Sequence, residues 1–284
     1  MNVGTAWRAA AARLVIASDS PQLDAQVLLG AVLSLSRAAL LAYPERELTA
    51  DQHARYTAWV EAAASGVPLP YLTGRRAFYR HEFAVTPDVL IPRPETECLV
   101  EAALEWARRR APARGSGLTL ADIGTGSGAI ALSLAAELPD AVVHATDISS
   151  AALDIARRNA EQFGLRNIQF HQGDLLDTLP MDLRPDLIAA NLPYIPSAVL
   201  DTLPVARHEP RLALDGGPDG LALIRRLLRQ APGRLAPEGC LLLEIGADQG
   251  AAVHDLCIMA FPNAHVYIIR DYAGRDRVVE TVCG

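Results

Sequence analysis

A chain of 284 residues, half of them hydrophobic, carries material for one large domain or two smaller ones. Its formal charge of −7 argues against a protein held mainly by bulk attraction to nucleic acid phosphates. All 26 basic residues are arginine, which excludes a lysine nucleophile or Schiff base. Cys98, Cys240, Cys257 and Cys283 have no metal-ligand spacing and form no dense disulfide framework. The expectation is a reduced, soluble, cytoplasmic protein without a metal site. The N-terminus has no basic-then-apolar leader, and no apolar run approaches the ~20 residues that span a bilayer, so no membrane partner is expected.

The first 65 residues read as helical. Ala6 to Ile16 has helical spacing, and Ser20-Pro21 starts a second helix, with serine at the N-cap and proline in the first turn. Ser36 to Leu41 and Thr49 to Ala64 supply two more, giving a bundle of four or five helices over residues 1–65. The texture changes at Gly66-Val67-Pro68-Leu69-Pro70. Phe78, Tyr79, Phe83 and Val85 then suggest a hairpin turning near Arg80-His81-Glu82. Residues 66–92 read as a linker containing that hairpin, and residues 93–284 as the larger domain.

From Glu95 onward, helix and strand alternate. Helix Thr96 to Arg110 precedes strand Leu118 to Ile123, a glycine turn and helix Ala129 to Leu138. Strand Ala141 to Thr146 leads into helix Ala151 to Phe163, and strands near Ile168 to His171 and Asp186 to Ala190 follow. Helix Leu221 to Leu235, strand Cys240 to Ile245, helix Gln249 to Phe261 and the β runs His265 to Ile269 and Arg277 to Val282 complete the chain. Such alternation implies an α/β domain with a mostly parallel sheet covered on both faces. The last two β runs are joined without a helix, so one of them should be antiparallel.

Two places carry chemistry. Gly124-Thr125-Gly126-Ser127-Gly128 lies between the first strand of the large domain and its helix, where glycines admit a close ligand and the helix offers free N–H groups. Asp147 ends the next strand, 21 residues after Gly126, where a carboxylate accepts both hydroxyls of a ribose. The run also fits the dinucleotide form G-x-G-x-x-A, so a nicotinamide enzyme is an alternative. S-adenosylmethionine is favoured by Asp122, placed to approach the amino-acid end of that cofactor, and by Gly173-Asp174, placed to meet an adenine amino group. The second place is Asn191-Leu192-Pro193-Tyr194, directly after a buried strand. An amide, a proline and an aromatic ring at a strand end make a rigid platform for a planar hydrogen-bonding group, a carboxamide or an exocyclic amine.

Longer stretches point to a family. Pro68-Leu69-Pro70-Tyr71-Leu72-Thr73-Gly74, Phe78-Tyr79 and Val89-Leu90-Ile91-Pro92-Arg93-Pro94-Glu95-Thr96-Glu97 resemble the middle segment of the HemK/PrmC family. These are the glutamine N5-methyltransferases that modify peptide-chain release factors. His208-Glu209-Pro210-Arg211-Leu212-Ala213-Leu214 with Gly216-Gly217 and Asp219-Gly220-Leu221, and the ending Asp271-Tyr272-Ala273-Gly274-Arg275-Asp276-Arg277, resemble the same family. The family signature is Asn-Pro-Pro-Tyr, and Leu192 replaces its first proline. That residue serves through its main-chain carbonyl, which leucine keeps, and Pro193 still disfavours helical geometry at 192.

The resemblance implies a class I S-adenosylmethionine-dependent methyltransferase: a Rossmann-like, seven-stranded, mostly parallel sheet with the last hairpin antiparallel, plus a small N-terminal helical domain that contacts the protein substrate. It implies that Gly124, Thr125, Gly126, Ser127 and Gly128 line the methionine part of the cofactor. Asp147 would bind the ribose, Asp174 and Leu175 would border the adenine, and Asn191 would touch cofactor and substrate. Asn191 and the Leu192 carbonyl would accept the two amide hydrogens of the glutamine in a Gly-Gly-Gln motif, with Pro193 stiffening the platform and Tyr194 packing on the amide plane. The product is S-adenosylhomocysteine, the partner is a release factor, and no direct nucleic acid contact is expected. Rival readings are a ribosomal-protein glutamine methyltransferase, a DNA adenine-N6 methyltransferase, which needs base flipping and a basic surface, and a catalytically dead adaptor.

Overall fold

The computed structural model describes residues 1–114 and 117–284. The described chain divides into two compact units, Met1–Arg75 and Arg76–Gly284. Helix Leu69–Thr73 falls within the first unit, and the hairpin, apart from Arg75, within the second.

The first unit contains α1 (Val3–Leu14), α2 (Pro21–Leu33), α3 (Arg37–Ala42), α4 (Ala50–Ala64) and α5 (Leu69–Thr73). Its core is built from Leu14, Leu28, Leu29, Leu40, Tyr56 and Val60, with the Tyr56 hydroxyl donating to the Ala25 carbonyl at 2.9 Å. Thr49 and Gln52 close a reciprocal capping box at the start of α4. Ser20 holds the N-cap position of α2, but its side chain makes no cap bond.

The second unit opens with the hairpin β1 (Arg75–Phe78) and β2 (His81–Ala84), turning at Tyr79-Arg80, one residue before the expected turn. Helix α6 (Glu97–Arg114) follows. Then come β3 (Thr119–Ile123), α7 (Ala129–Glu137), β4 (Val142–Asp147), α8 (Ser150–Phe163), β5 (Ile168–Gln172) and β6 (Leu187–Ala190). A short α9 (Ser197–Leu200), α10 (Ala222–Gln230), β7 (Cys240–Glu244), α11 (Gly250–Ala260), β8 (His265–Arg270) and β9 (Asp276–Val282) complete it. The sheet order is β5-β4-β3-β6-β7-β9-β8, parallel except that β9 runs against both neighbours. This is the seven-stranded class I methyltransferase sheet expected from the resemblance.

Alternate side chains of each strand feed two cores, as the two-residue period of a strand requires. Leu120, Val143, Ala145, Leu187, Ala189 and Leu242 pack with α6 and α7. Ala121, Ile123, Ile188, Ala190, Leu241 and Leu243 pack with α10 and α11. Ile123 pairs with Thr146 and Ala190, and Ala190 pairs with Leu243. One residue beyond these pairs stand Gly124, Asp147, Asn191 and Glu244, level with one another at the carboxyl edge. The strand order turns in opposite directions on either side of β3, and open α/β sheets hold their ligands in the crevice at such a switch point. Among the described residues no helix is long and apolar enough to cross a membrane.

Candidate active site

A cleft of about 390 Å³ lies at that edge. Its floor is the loop after β3. Gly124, Gly126 and Gly128 have φ of 76°, 57° and 85°, values that L side chains adopt only under strain. The Gly124 and Thr125 N–H groups both donate to the Thr146 carbonyl, at 2.9 and 2.8 Å, which folds the loop over the neighbouring strand. A Cβ at Gly126 would meet nothing within 4 Å, because the position faces the open cleft. Gly124, Thr125, Gly126 and Ser127 line the cavity. Gly128 does not: it is the N-cap of α7, and a Cβ there would press on Leu132 at 2.9 Å and Ala156 at 3.3 Å. Glycine at this position permits the close packing of α7 against Ala156.

Asp122 departs further from expectation. It is fully buried and does not line the cleft. Its Oδ2 accepts from Thr125 Oγ1 at 2.6 Å and from the Ala131 N–H at 3.1 Å, so it braces the loop against the first turn of α7. Oδ1 has no partner, and burial pushes the carboxyl up to about 7.

Asp147 stands on the opposite wall. Its Oδ2 accepts the Gly126 N–H at 2.8 Å and its Oδ1 the Ser149 N–H at 2.9 Å. Each carboxylate oxygen has a further lone pair, which leaves capacity for two vicinal hydroxyls. Farther along the cleft the chain turns sharply at Gly173 (φ 155°) and Leu175 (φ 50°) to present Asp174. Asp174 forms an ion pair with Arg226 of α10, and both residues, with Leu175 and Leu223, line this end of the cavity. The glycine loop, Asp147 and Asp174 all line this one cleft.

Asn191, Leu192 and Pro193 line the cleft opposite Asp147 and also line a second cavity of about 100 Å³ that adjoins it. Tyr194 borders only the smaller cavity, with Leu90, Val205 and Leu214. A ligand in the cleft and a side chain in the small cavity would thus meet across Asn191. Burial pushes the Tyr194 hydroxyl up to about 12, so it stays protonated. The Leu192 side chain is buried against the Gly124 loop, where a Gly124 Cβ would lie 3.2 Å from Leu192 Cδ2.

The motif is braced from behind. Gln249 Nε2 donates to the Tyr194 carbonyl at 3.0 Å while Gln249 Oε1 accepts the Gly246 N–H at 2.9 Å. The Gly216 N–H donates to the Ile195 carbonyl at 2.8 Å. A Cβ on Gly216 would stand 2.8 Å from the Pro193 carbonyl oxygen, so only glycine permits this approach. Glu209, buried, accepts the Ile91 N–H at 3.1 Å and pairs with Arg93, which lines both cavities. The two stretches that resemble the family at 89–97 and 208–221 therefore close the same site.

Asn191 Nδ2 donates to Thr96 Oγ1 at 3.1 Å. The Thr96 and Asn191 side chains lie against the carboxyl of Glu244, which burial pushes up to about 7 and whose Oε2 has no hydrogen-bond partner. Glu244, Thr96, Gln249 and Arg226 were not singled out for roles by sequence reasoning. Thr96 and Gln249 read as helix starts, Glu244 as part of the strand Cys240 to Ile245 and Arg226 as part of the helix Leu221 to Leu235. The one available signal was a lone acid after the apolar run Cys240-Leu241-Leu242-Leu243. Among the described residues no three His, Cys, Asp or Glu side chains cluster as a metal would require.

Comparison with known proteins agrees with this geometry. Residues 5–74 match the PrmC N-terminal domain and residues 114–235 a methyltransferase domain. A release factor glutamine methyltransferase of Moorella thermoacetica is 51% identical over 91% of this chain and 90% of its own length. Another from Coxiella burnetii is 42% identical over 94% of both. A solved methyltransferase structure from Pyrococcus furiosus, 17% identical, superposes with a TM-score of 0.53 over 83% of this chain and 100% of that one, which shows the shared fold.

Proposed function

The chain belongs to the release factor glutamine methyltransferase family, and from that premise we propose that it transfers a methyl group from S-adenosylmethionine to the side-chain amide nitrogen of the glutamine in a release factor Gly-Gly-Gln motif. The observation that carries the reading is Asn191, standing where two cavities meet with its Nδ2 turned inward to Thr96 and its Oδ1 left for a ligand.

The cleft fits the cofactor. Open space over Gly126, the carboxylate of Asp147 and the Asp174–Arg226 end suit a methionine moiety, a ribose and an adenine in turn. When bound, the cofactor supplies an electrophilic sulfonium methyl group. The protein supplies alignment. A carboxamide nitrogen is a weak nucleophile because its lone pair is delocalised into the carbonyl. Asn191 Oδ1 and the Leu192 carbonyl accept its two hydrogens and fix its plane, and they stabilise the positive charge that develops on it. One of these two hydrogens is lost as a proton once the N–C bond has formed. Pro193 and Tyr194 hold the glutamine chain in the smaller cavity.

The helical unit Met1–Arg75 is the part we assign to grip on the folded protein substrate, with the cytoplasm as the compartment where that substrate resides. Removing it is expected to raise KM for the release factor and leave cofactor affinity within about twofold. The decisive experiment is mass spectrometry of a release factor incubated with the enzyme and S-adenosylmethionine. One added methyl on the Gly-Gly-Gln glutamine supports the reading; an unmodified glutamine in the presence of bound cofactor would overturn it.

A further inference from the structure

Asn191 can serve as an acceptor only if its amide is held one way round, and a hydroxyl neighbour alone does not decide that. Thr96 Oγ1 could equally accept from Nδ2 or donate to Oδ1. The residue that breaks the tie lies behind it. Glu244 ends β7 beside Asn191, on the same face of the sheet, and is 1% exposed. Its carboxyl lies against the Thr96 and Asn191 side chains, and its buried Oε2 has no hydrogen-bond partner. An ionised carboxylate is an acceptor only. It draws the Thr96 O–H toward itself, leaves the Thr96 lone pair to receive Asn191 Nδ2, and so turns Oδ1 to the cleft.

We propose that Glu244, acting with Thr96, is the positioning residue that sets the polarity of the Asn191 amide and thereby makes the motif an acceptor for the substrate carboxamide. The inference rests on the methyl-transfer reading above. Its consequence is a polarity that one proton reverses. With Glu244 protonated, its O–H donates to Thr96, the Thr96 O–H donates to Asn191 Oδ1, and the amide presents its NH₂ to a substrate group that is itself a donor. The burial that lifts this carboxyl to about 7 places the reversal near neutrality. The charged and titratable groups that interact with Glu244 are Arg277 from β9, Glu95 before α6, Cys98 on α6 and Tyr194. Arg277 favours the ionised form and Glu95 opposes it.

The test measures single-turnover methyl transfer to a release factor across about pH 6 to 8.5, with cofactor affinity measured by calorimetry. The unaltered enzyme is expected to gain rate as pH rises through neutrality. Glu244→Gln, whose amide offers both donor and acceptor at any pH, should lose that rise and run at least about tenfold slower, with cofactor Kd within about twofold. Thr96→Val should behave alike, and Thr96→Ser should restore the rate because it keeps the relaying hydroxyl. A Glu244→Gln enzyme with the full rate and the same pH limb would overturn the proposal. So would a Thr96→Val enzyme as active as Thr96→Ser, and this pair remains informative if Glu244→Gln does not fold. Asn191→Ala distinguishes the two readings: full activity in that variant sinks the methyl-transfer assignment itself, whatever Glu244 does.

Discussion

Replacing Gly220 by alanine tests whether the loop after the motif sets the position of Tyr194. Gly220 has a φ of 77°, and an added Cβ would stand 2.3 Å from the Tyr194 carbonyl oxygen and 2.8 Å from Gln249 Nε2. Ordinary contact begins near 3.4 Å, so the motif backbone must retreat by about 1 Å or the loop must unseat. Either movement strains the Gln249 bond to the Tyr194 carbonyl, and the same loop carries Asn191 only three residues away. A misplacement of about 1 Å in an aligned reaction costs about 100-fold in rate. The left-handed backbone adds about 1–2 kcal/mol of destabilisation. Gly164→Ala is the control: its φ is 68° and a Cβ would meet nothing within 4 Å, so it carries the strain without the collision. Single-turnover methyl transfer and urea unfolding, measured on both variants, separate the terms. Gly220→Ala is expected to lose about 100-fold in rate, while Gly164→Ala loses only stability. A Gly220→Ala enzyme with an unchanged rate would refute the reasoning, since the carbonyl would then tolerate displacement.

Asn191→Ala is expected to bind S-adenosylmethionine normally and to lose at least about 100-fold in methyl transfer, read by radiolabel incorporation. Asp147→Ala removes an acceptor for the ribose hydroxyls and the anchor of the Gly126 N–H, and should weaken cofactor Kd by at least about tenfold in calorimetry. Stability should fall as pH rises through neutrality. The folded chain holds the Asp122 proton up to about 7, whereas the unfolded chain releases it near 4, so the stabilisation is complete at low pH and lost above 7. From about pH 6 to 8 this carboxyl alone accounts for on the order of 1 kcal/mol, and Asp122→Asn should show a correspondingly flatter profile in urea unfolding. His144 and His171, held below the ordinary imidazole range chiefly by burial, act in the opposite direction: their contribution is present above about 6.5 and lost on acidification.

The class of the fold was legible in the chain because it rests on local periodicity. Strand-helix alternation from β3 to α11 follows from which residues are apolar at which spacing, and the joined β8 and β9 imply an antiparallel hairpin wherever they pack. The glycine loop and Asp147 were legible for a related reason: they lie within one β-α-β unit whose geometry is nearly invariant. Boundaries and support were not. Gly66-Val67-Pro68 reads as a break, yet Leu69–Thr73 folds with the first unit because Leu69 and Leu72 pack on its core. Asp122 looked like a cofactor contact by position, but its side chain turns to the first turn of α7, where it accepts the Ala131 N–H. Glu244, Thr96 and Gln249 stand far from Asn191 along the chain and meet the motif, Gln249 at the Tyr194 carbonyl, only through strand order and register. A sequence carries the residues that bond a ligand within short spans. Which of them are held, and which way round, depends on neighbours brought alongside by the sheet, and that is decided only when the tertiary structure forms.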